Sequence, residues 1–251
     1  MDTDLVTLMA PRSKAALPDS ELTDQEKKEG WILLFDGKSG NGWMTSGWEA
    51  CPEVVDQGAI NPSKCPRLGA GGWDMVYERP WTNFVLQLDF KISPNTNSGV
   101  MVRIWPLRAL PGFDVEYNGL EVQILDSRTA GYYDTGAIYD LVKPTTNAMR
   151  PVGEWNHLRI SCDRSILEVW VNGTHVNRMN LDDWTQPFER RDGTEHKFNI
   201  ASKYHPHGGY IGLQKHEGNR WFKNIKLKPL NECVCRRVLH RRRPIIGFTP
   251  N

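Results

Sequence analysis

The chain has 251 residues, of which 39% are apolar, 24% charged and 10% aromatic, enough apolar surface for one core and too much for a disordered polymer. Its formal net charge is +1, yet the last 21 residues hold five Arg against Glu232, so residues 1–230 carry −3; this mildly acidic body argues against a nucleic-acid-binding face. No stretch approaches the roughly 18 unbroken apolar residues of a membrane span, and the opening MDTDLVTLMAPRSK has acids where a secretion signal has bases followed by an apolar run, so the chain reads as soluble. Ten Trp, seven Tyr, sixteen Pro and twenty-two Gly favour an all-β domain over a helical bundle.

In chain order, residues 1–23 lack periodicity and read as a flexible leader ending at Thr23, a helix N-cap with Glu26 three residues on. A helical turn leads to WILLF (31–35). Cys51 and Cys65 lie in a Gly/Pro-rich stretch and are able to pair if the protein is exported, whereas Cys162 sits in an apolar alternation and reads as core. FVLQLDFKI (84–92) alternates, with Phe84, Leu86, Leu88, Phe90 and Ile92 on one face. Asn97-Ser98-Gly99 then reads as the turn of a hairpin into VMVRIW (100–105). LEVQIL (120–125), AIYDL (137–141), HLRISC (157–162) and ILEVWVNG (166–173) continue the series. A final pair, YIGLQKH (210–216) and RWFKNIKLKPL (220–230), is joined by Glu217-Gly218-Asn219. About ten short strands over residues 24–230 predict one antiparallel two-sheet sandwich. Residues 231–251, with Arg236, Arg237, Arg241, Arg242 and Arg243, read as a solvated, disordered basic tail, and its Cys233 and Cys235 lack the second pair of a zinc site.

Period-two arithmetic turns the strands into a surface. Val100, Val102 and Ile104 point one way, Met101, Arg103 and Trp105 the other. Leu120, Val122 and Ile124 leave Glu121 and Gln123 opposite, and Ile211 and Leu213 leave Gln214 and His216 opposite. Amides and Arg offer directional hydrogen bonds to hydroxyls and indole stacks on a pyranose, so these residues on one face predict a carbohydrate site.

The segments GWILLFDGKSGNGW (30–43), NSGVMVR (97–103), GLEVQILD (119–126), TGAIYDL (135–141), GEWNHLRI (153–160), VWVNG (169–173) and YIGLQKHEGNRWFKNIKLKPL (210–230) resemble the 3-keto-disaccharide hydrolase domain family. The resemblance spans about residues 24–230. It implies a jelly-roll sandwich of the concanavalin A-like lectin/glucanase type, bacterial export to the periplasm or medium, and action on glycosides oxidised to a ketone at sugar C3. Lys215 stands where this family often has an acid, and Lys223 where it often has Arg.

Several chemistries compete for these residues. Glu121, Gln123 and Asp126 are similar to the E-x-D-x-x-E stretch of retaining β-glucanases on this fold, but the middle acid is an amide, and five strand residues span roughly 16 Å where a retaining pair needs about 5–5.5 Å. A 3-keto-glycoside asks for less. The ketone acidifies the C2 proton, one base removes it, donors hold the enolate, and the C1 substituent leaves. Glu121 or His216 is the expected base, the other protonating the leaving group, with Arg103 and Gln123 at the enolate and Gln214, Trp105, Tyr139 and Asp126 binding substrate. Asp126 reads equally as a turn cap, Tyr139 as core and His216 as a hairpin histidine. One general base and one electrophile suffice for this step. A divalent cation, a transition metal on His205 and His207 with Glu121 or Asp126, or calcium on loop carboxylates, is a further expectation. The alternatives to a 3-keto-glycoside enzyme are a retaining glucanase and a non-catalytic lectin module.

Overall fold

The computed structural model describes residues 20–68, 74–106 and 118–230. Most of the leader and all of the basic tail, with Cys233 and Cys235, lie outside the described residues. Helix α1 (Asp24–Lys28) opens with the expected capping box, Thr23 accepting the Glu26 N–H while the Glu26 carboxylate accepts that of Thr23. Thirteen strands follow among the described residues: β1 (Ile32–Leu33), β2 (Trp43–Thr45), β3 (Val55–Asp56), β4 (Ala59–Ile60), β5 (Asp74–Tyr77), β6 (Phe84–Ile92), β7 (Asn97–Ile104), β8 (Leu120–Leu125), β9 (Asn156–Asp163), β10 (Ile166–Val171), β11 (Thr174–Asn180), β12 (Tyr210–Gln214) and β13 (Arg220–Pro229).

They form two antiparallel sheets, one in the order β11-β10-β9-β6-β13-β4-β3 with β1 also on β13, the other β2-β5-β12-β7-β8. This is the all-β jelly-roll sandwich of concanavalin A-like type. Its core is built by alternation. Phe84, Leu86, Leu88, Phe90 and Ile92 of β6 face Val100, Val102, Leu120, Val122, Ile124, Ile211 and Leu213 of the other sheet, all buried. Truncating Phe90 to Ala within such a core costs about 3–5 kcal/mol. Cys162 is buried in it as expected, and burial pushes its thiol up to about 11. Cys51 and Cys65 form a disulfide.

The topology corrects three expectations. β6 and β7 are not a hairpin: β6 pairs with β9 and β13, and β7 with β8 and β12, so the chain changes sheets between them. Asn97-Ser98-Gly99 belongs to β7, and the turn lies earlier, at Asn95, whose φ is 57°. The final two strands likewise sit in different sheets. Residues 137–141 contribute only bridges at Ile138, to Val122 and Val142, rather than a strand.

Candidate functional site

The outer face of the five-stranded sheet holds the predicted amides and acid. Met101 lies opposite Glu121 and Gly99 opposite Gln123, while Gly212 lies opposite Met101 and Leu213 opposite Val100. Continuing that register sets Gln214 beside Gly99, so Gln214, Gly99 and Gln123 make one row across three neighbouring strands. Glu121 starts one row away and folds across Gly99: a Cβ at Gly99 would meet Glu121 Cγ at 2.7 Å and Cδ at 2.8 Å. Its carboxylate therefore lies between two glutamines. The three side chains are 7%, 1% and 3% exposed for Glu121, Gln123 and Gln214. Gln123 Nε2 donates to Asn97 Oδ1 at 2.8 Å, and its buried Oε1 has no hydrogen-bond partner among the described residues. A buried polar atom without a partner is what a site built for a polar ligand leaves behind.

Beside this group the face turns apolar, with Val76, Met101 and Ile104 against Met44 and Tyr210. Tyr210 carries two half-exposed indoles. Trp105 stacks on it at 6.3 Å and 12°, and Trp48 meets it edge-on at 5.5 Å. Trp105, expected as a sugar platform, thus lies against Tyr210, two residues after an irregularity that sequence parity does not show. Tyr210 and Trp48 were not expected. Tyr210 shares the parity of Gly212 and Gln214 and was legible from it, whereas Trp48 sits in a loop at φ 66°, which no periodicity reveals.

At the other edge, Tyr139 donates its N–H to the Glu121 carbonyl at 2.9 Å, and its ring packs on Tyr133 at 5.2 Å. Lys197 places its ammonium over the Tyr139 ring at 4.6 Å. A buried ion pair holds this edge: Arg190 bonds the Asp140 carboxylate, which also accepts Tyr133 Oη–H at 2.9 Å and the Lys197 N–H at 2.7 Å. The hydrogen bond to Asp140, with burial, raises the Tyr133 phenol above its ordinary value.

Arg103 departs from the predicted face. Tyr210 of β12 pairs with Ile104 and Gly212 with Met101, so one residue of β12 spans two of β7, a bulge in which Arg103 takes φ 58°. The extra residue reverses the parity, so Ile104 joins Met101 on the outer face. The Arg103 side chain, fully buried, crosses between the sheets to donate to the Arg164 carbonyl at 2.6 Å. Burial lowers its pKa.

Asp126 is a turn anchor. β8 runs in unbroken register, and Asp126, just beyond it on the opposite parity from Glu121, accepts the Asn95 N–H at 2.9 Å. The bulge that would bring two acids together is absent from β8, which removes the geometry of the retaining-glucanase alternative. His216 is exposed, two residues past the end of β12. His205 points its nitrogens at carbonyl oxygens, Nδ1 at Pro206 (2.9 Å) and Nε2 at Asn118 (3.2 Å), and burial lowers its pKa. Among the described residues no three His, Cys, Asp or Glu side chains gather as a metal site would require. No helix of the described residues is long and apolar enough to cross a membrane.

Comparison with known proteins agrees with this architecture. A curated 3-keto-disaccharide hydrolase of Bacteroides thetaiotaomicron is 26% identical over 241 residues, covering 81% of this chain and 79% of the relative. A crystal structure of a candidate glycosyl hydrolase from Parabacteroides distasonis superposes with a TM-score of 0.68 at 27% identity, over 85% of this chain and 100% of that one. A second from the same organism gives 0.63 at 26% identity, over 80% and 99%. Residues 30–228 match the family described as the 3-keto-alpha-glucoside-1,2-lyase-like domain, and the chain belongs to that family.

Proposed function

We propose that the protein is a hydrolytic enzyme that cleaves glycosides carrying a ketone at C3 of the glycone. The observation that carries this reading is the Glu121 carboxylate laid across Gly99 between Gln123 and Gln214, on a face rimmed by Trp105, Tyr210 and Trp48. The bacterial relative, named a 3-keto-disaccharide hydrolase, supplies the substrate class.

In this scheme Glu121 takes the C2 proton, and the electron pair passes into the C3 carbonyl as an enolate. The second N–H of the Gln123 amide, the first being spent on Asn97, and the amide of Gln214 hold the enolate oxygen, the part first assigned to Arg103 with Gln123, while Gln123 Oε1 accepts a sugar hydroxyl. The pair then returns to form C1=C2 as the C1–oxygen bond breaks, and the departing oxygen takes up a proton. Water adding across C1=C2 completes a net hydrolysis. Acid–base help of this kind contributes about 10²–10⁴-fold, and each enolate donor about 10²–10³-fold. His216, exposed near Gln214, is the candidate for protonating the leaving oxygen. The Cys51–Cys65 disulfide supports an oxidising compartment, periplasmic or extracellular.

The test is incubation with a 3-keto-disaccharide and with its unoxidised parent, each with and without chelator. Only the oxidised sugar is cleaved, and Glu121→Gln lowers kcat at least about 10²-fold. Cleavage of the parent, binding without cleavage, or full turnover by Glu121→Gln overturns the reading. Loss of activity with chelator would add a cation to the scheme.

A further inference from the structure

A second concavity adjoins the Glu121 face. It has a volume of about 340 Å³, at the small end of the range for ligand pockets, and lies against the start of β8 at Gly119 and Leu120. Its walls are mainly carbon: Trp105, Leu120, Phe198, Ile200 and Tyr204. Two contacts join it to the site already described. Trp105 is both a wall of the cavity and the indole stacked on Tyr210. Lys197 sets its ammonium over Tyr139, whose backbone N–H bonds the Glu121 carbonyl, and 5.4 Å from the ring centroid of Phe198, another wall.

We infer that this cavity is the leaving-group subsite and that it takes an aromatic aglycone rather than a second sugar. The inference rests on the proposed function and names the substrate class within it. A sugar leaving group brings several hydroxyls, each of which gives up water and needs a replacement partner. Among the described residues the lining supplies few. The His205 nitrogens already face carbonyl oxygens, and Asn118 Nδ2 donates to the Pro106 carbonyl at 2.9 Å, so the side-chain partners left are Ser202, Asn199 and the polar tips of Tyr204 and Trp105, whose rings are otherwise apolar wall. An aromatic ring needs no such partners and stacks on Trp105, Phe198 or Tyr204.

The test compares three oxidised substrates: the 3-keto derivatives of methyl glucoside, benzyl glucoside and a disaccharide. All three release an alcohol rather than a phenol, so the comparison reports binding at the leaving group more than its acidity. The expected result is a kcat/KM for the benzyl compound at least about tenfold above that for methyl and above that for the disaccharide. Ile200→Asp and Tyr204→Ala, at positions 57% and 69% exposed where folding tolerates change, bring the benzyl-to-methyl ratio towards one. Turnover of all three without a benzyl advantage, preference for the disaccharide, or a ratio that survives both variants overturns the subsite while leaving the proposed reaction intact. Absence of turnover on all three overturns the reaction itself and the subsite with it.

Discussion

At Gly99 the missing side chain is what lets the Glu121 carboxylate lie flat on the sheet, since any Cβ would overlap Cγ and Cδ. Gly99→Ala therefore acts on the acid rather than on the backbone: the glutamate, a flexible side chain, swings off the row of amides while the strand keeps its register. We expect unchanged far-ultraviolet circular dichroism and a kcat reduced about 10²-fold, the usual cost of an ångström-scale misplacement. An undiminished kcat would show that the carboxylate works from elsewhere. Period two was enough to place Glu121, Gln123 and Gln214 on one face, because their strands run in regular register there. It failed for Arg103, where one extra residue in β7 turned the guanidinium between the sheets. Asp126 resolved to the plainer of its two readings, since an odd spacing along an unbulged strand separates it from Glu121.

On the scale of an element, the connection from β11 to β12 deserves a pH experiment, because it carries three buried or half-buried histidines. Burial lowers the pKa of His196, His205 and His207 below the ordinary 6.5; for His205 the two facing carbonyls only partly offset it. A histidine depressed in the native state binds its proton more readily once unfolded. Between the unfolded and folded pKa the unfolded chain therefore holds more protons, and stability falls as pH drops below 6.5. Urea unfolding should give a smaller free energy at about pH 5.5 than at about pH 7.5, above the range where carboxylates titrate. His205→Gln should flatten that slope. A slope of the opposite sign, or none, would mean that these rings gain partners on protonation. This connection also supplies Phe198, Ile200 and Tyr204, none of which strand periodicity picks out.

For the molecule as a whole, two sheets share one core, and cross-links at its ends add to it: Arg103 reaches from β7 to the β9–β10 turn, and the disulfide closes a loop of sequence separation 14. Replacing both cysteines, Cys51→Ser with Cys65→Ser, should lower the unfolding free energy by about 3 kcal/mol, the chain-entropy value for a loop of this size. Equilibrium denaturation measures it. A loss well under 1 kcal/mol would place that loop's stability in its packing instead, around Val54 and Leu68.

The amino-acid order alone determined the all-β class, the buried face of β6, the capping box at Thr23, and the common face of Glu121, Gln123 and Gln214. Each follows from spacing along the chain, from local hydrogen bonding or from which side of a strand is apolar. Tertiary structure decided which strands are neighbours. Alternation states that a face is buried but not against what, and so β6 and β7 read as a hairpin although each pairs elsewhere. It also decided where parity breaks, because the β7 bulge answers to its partner β12, and what gathers around the acid, because Tyr139, Lys197, Trp48 and the apolar cavity come from loops placed by long-range contacts rather than by their own periodicity.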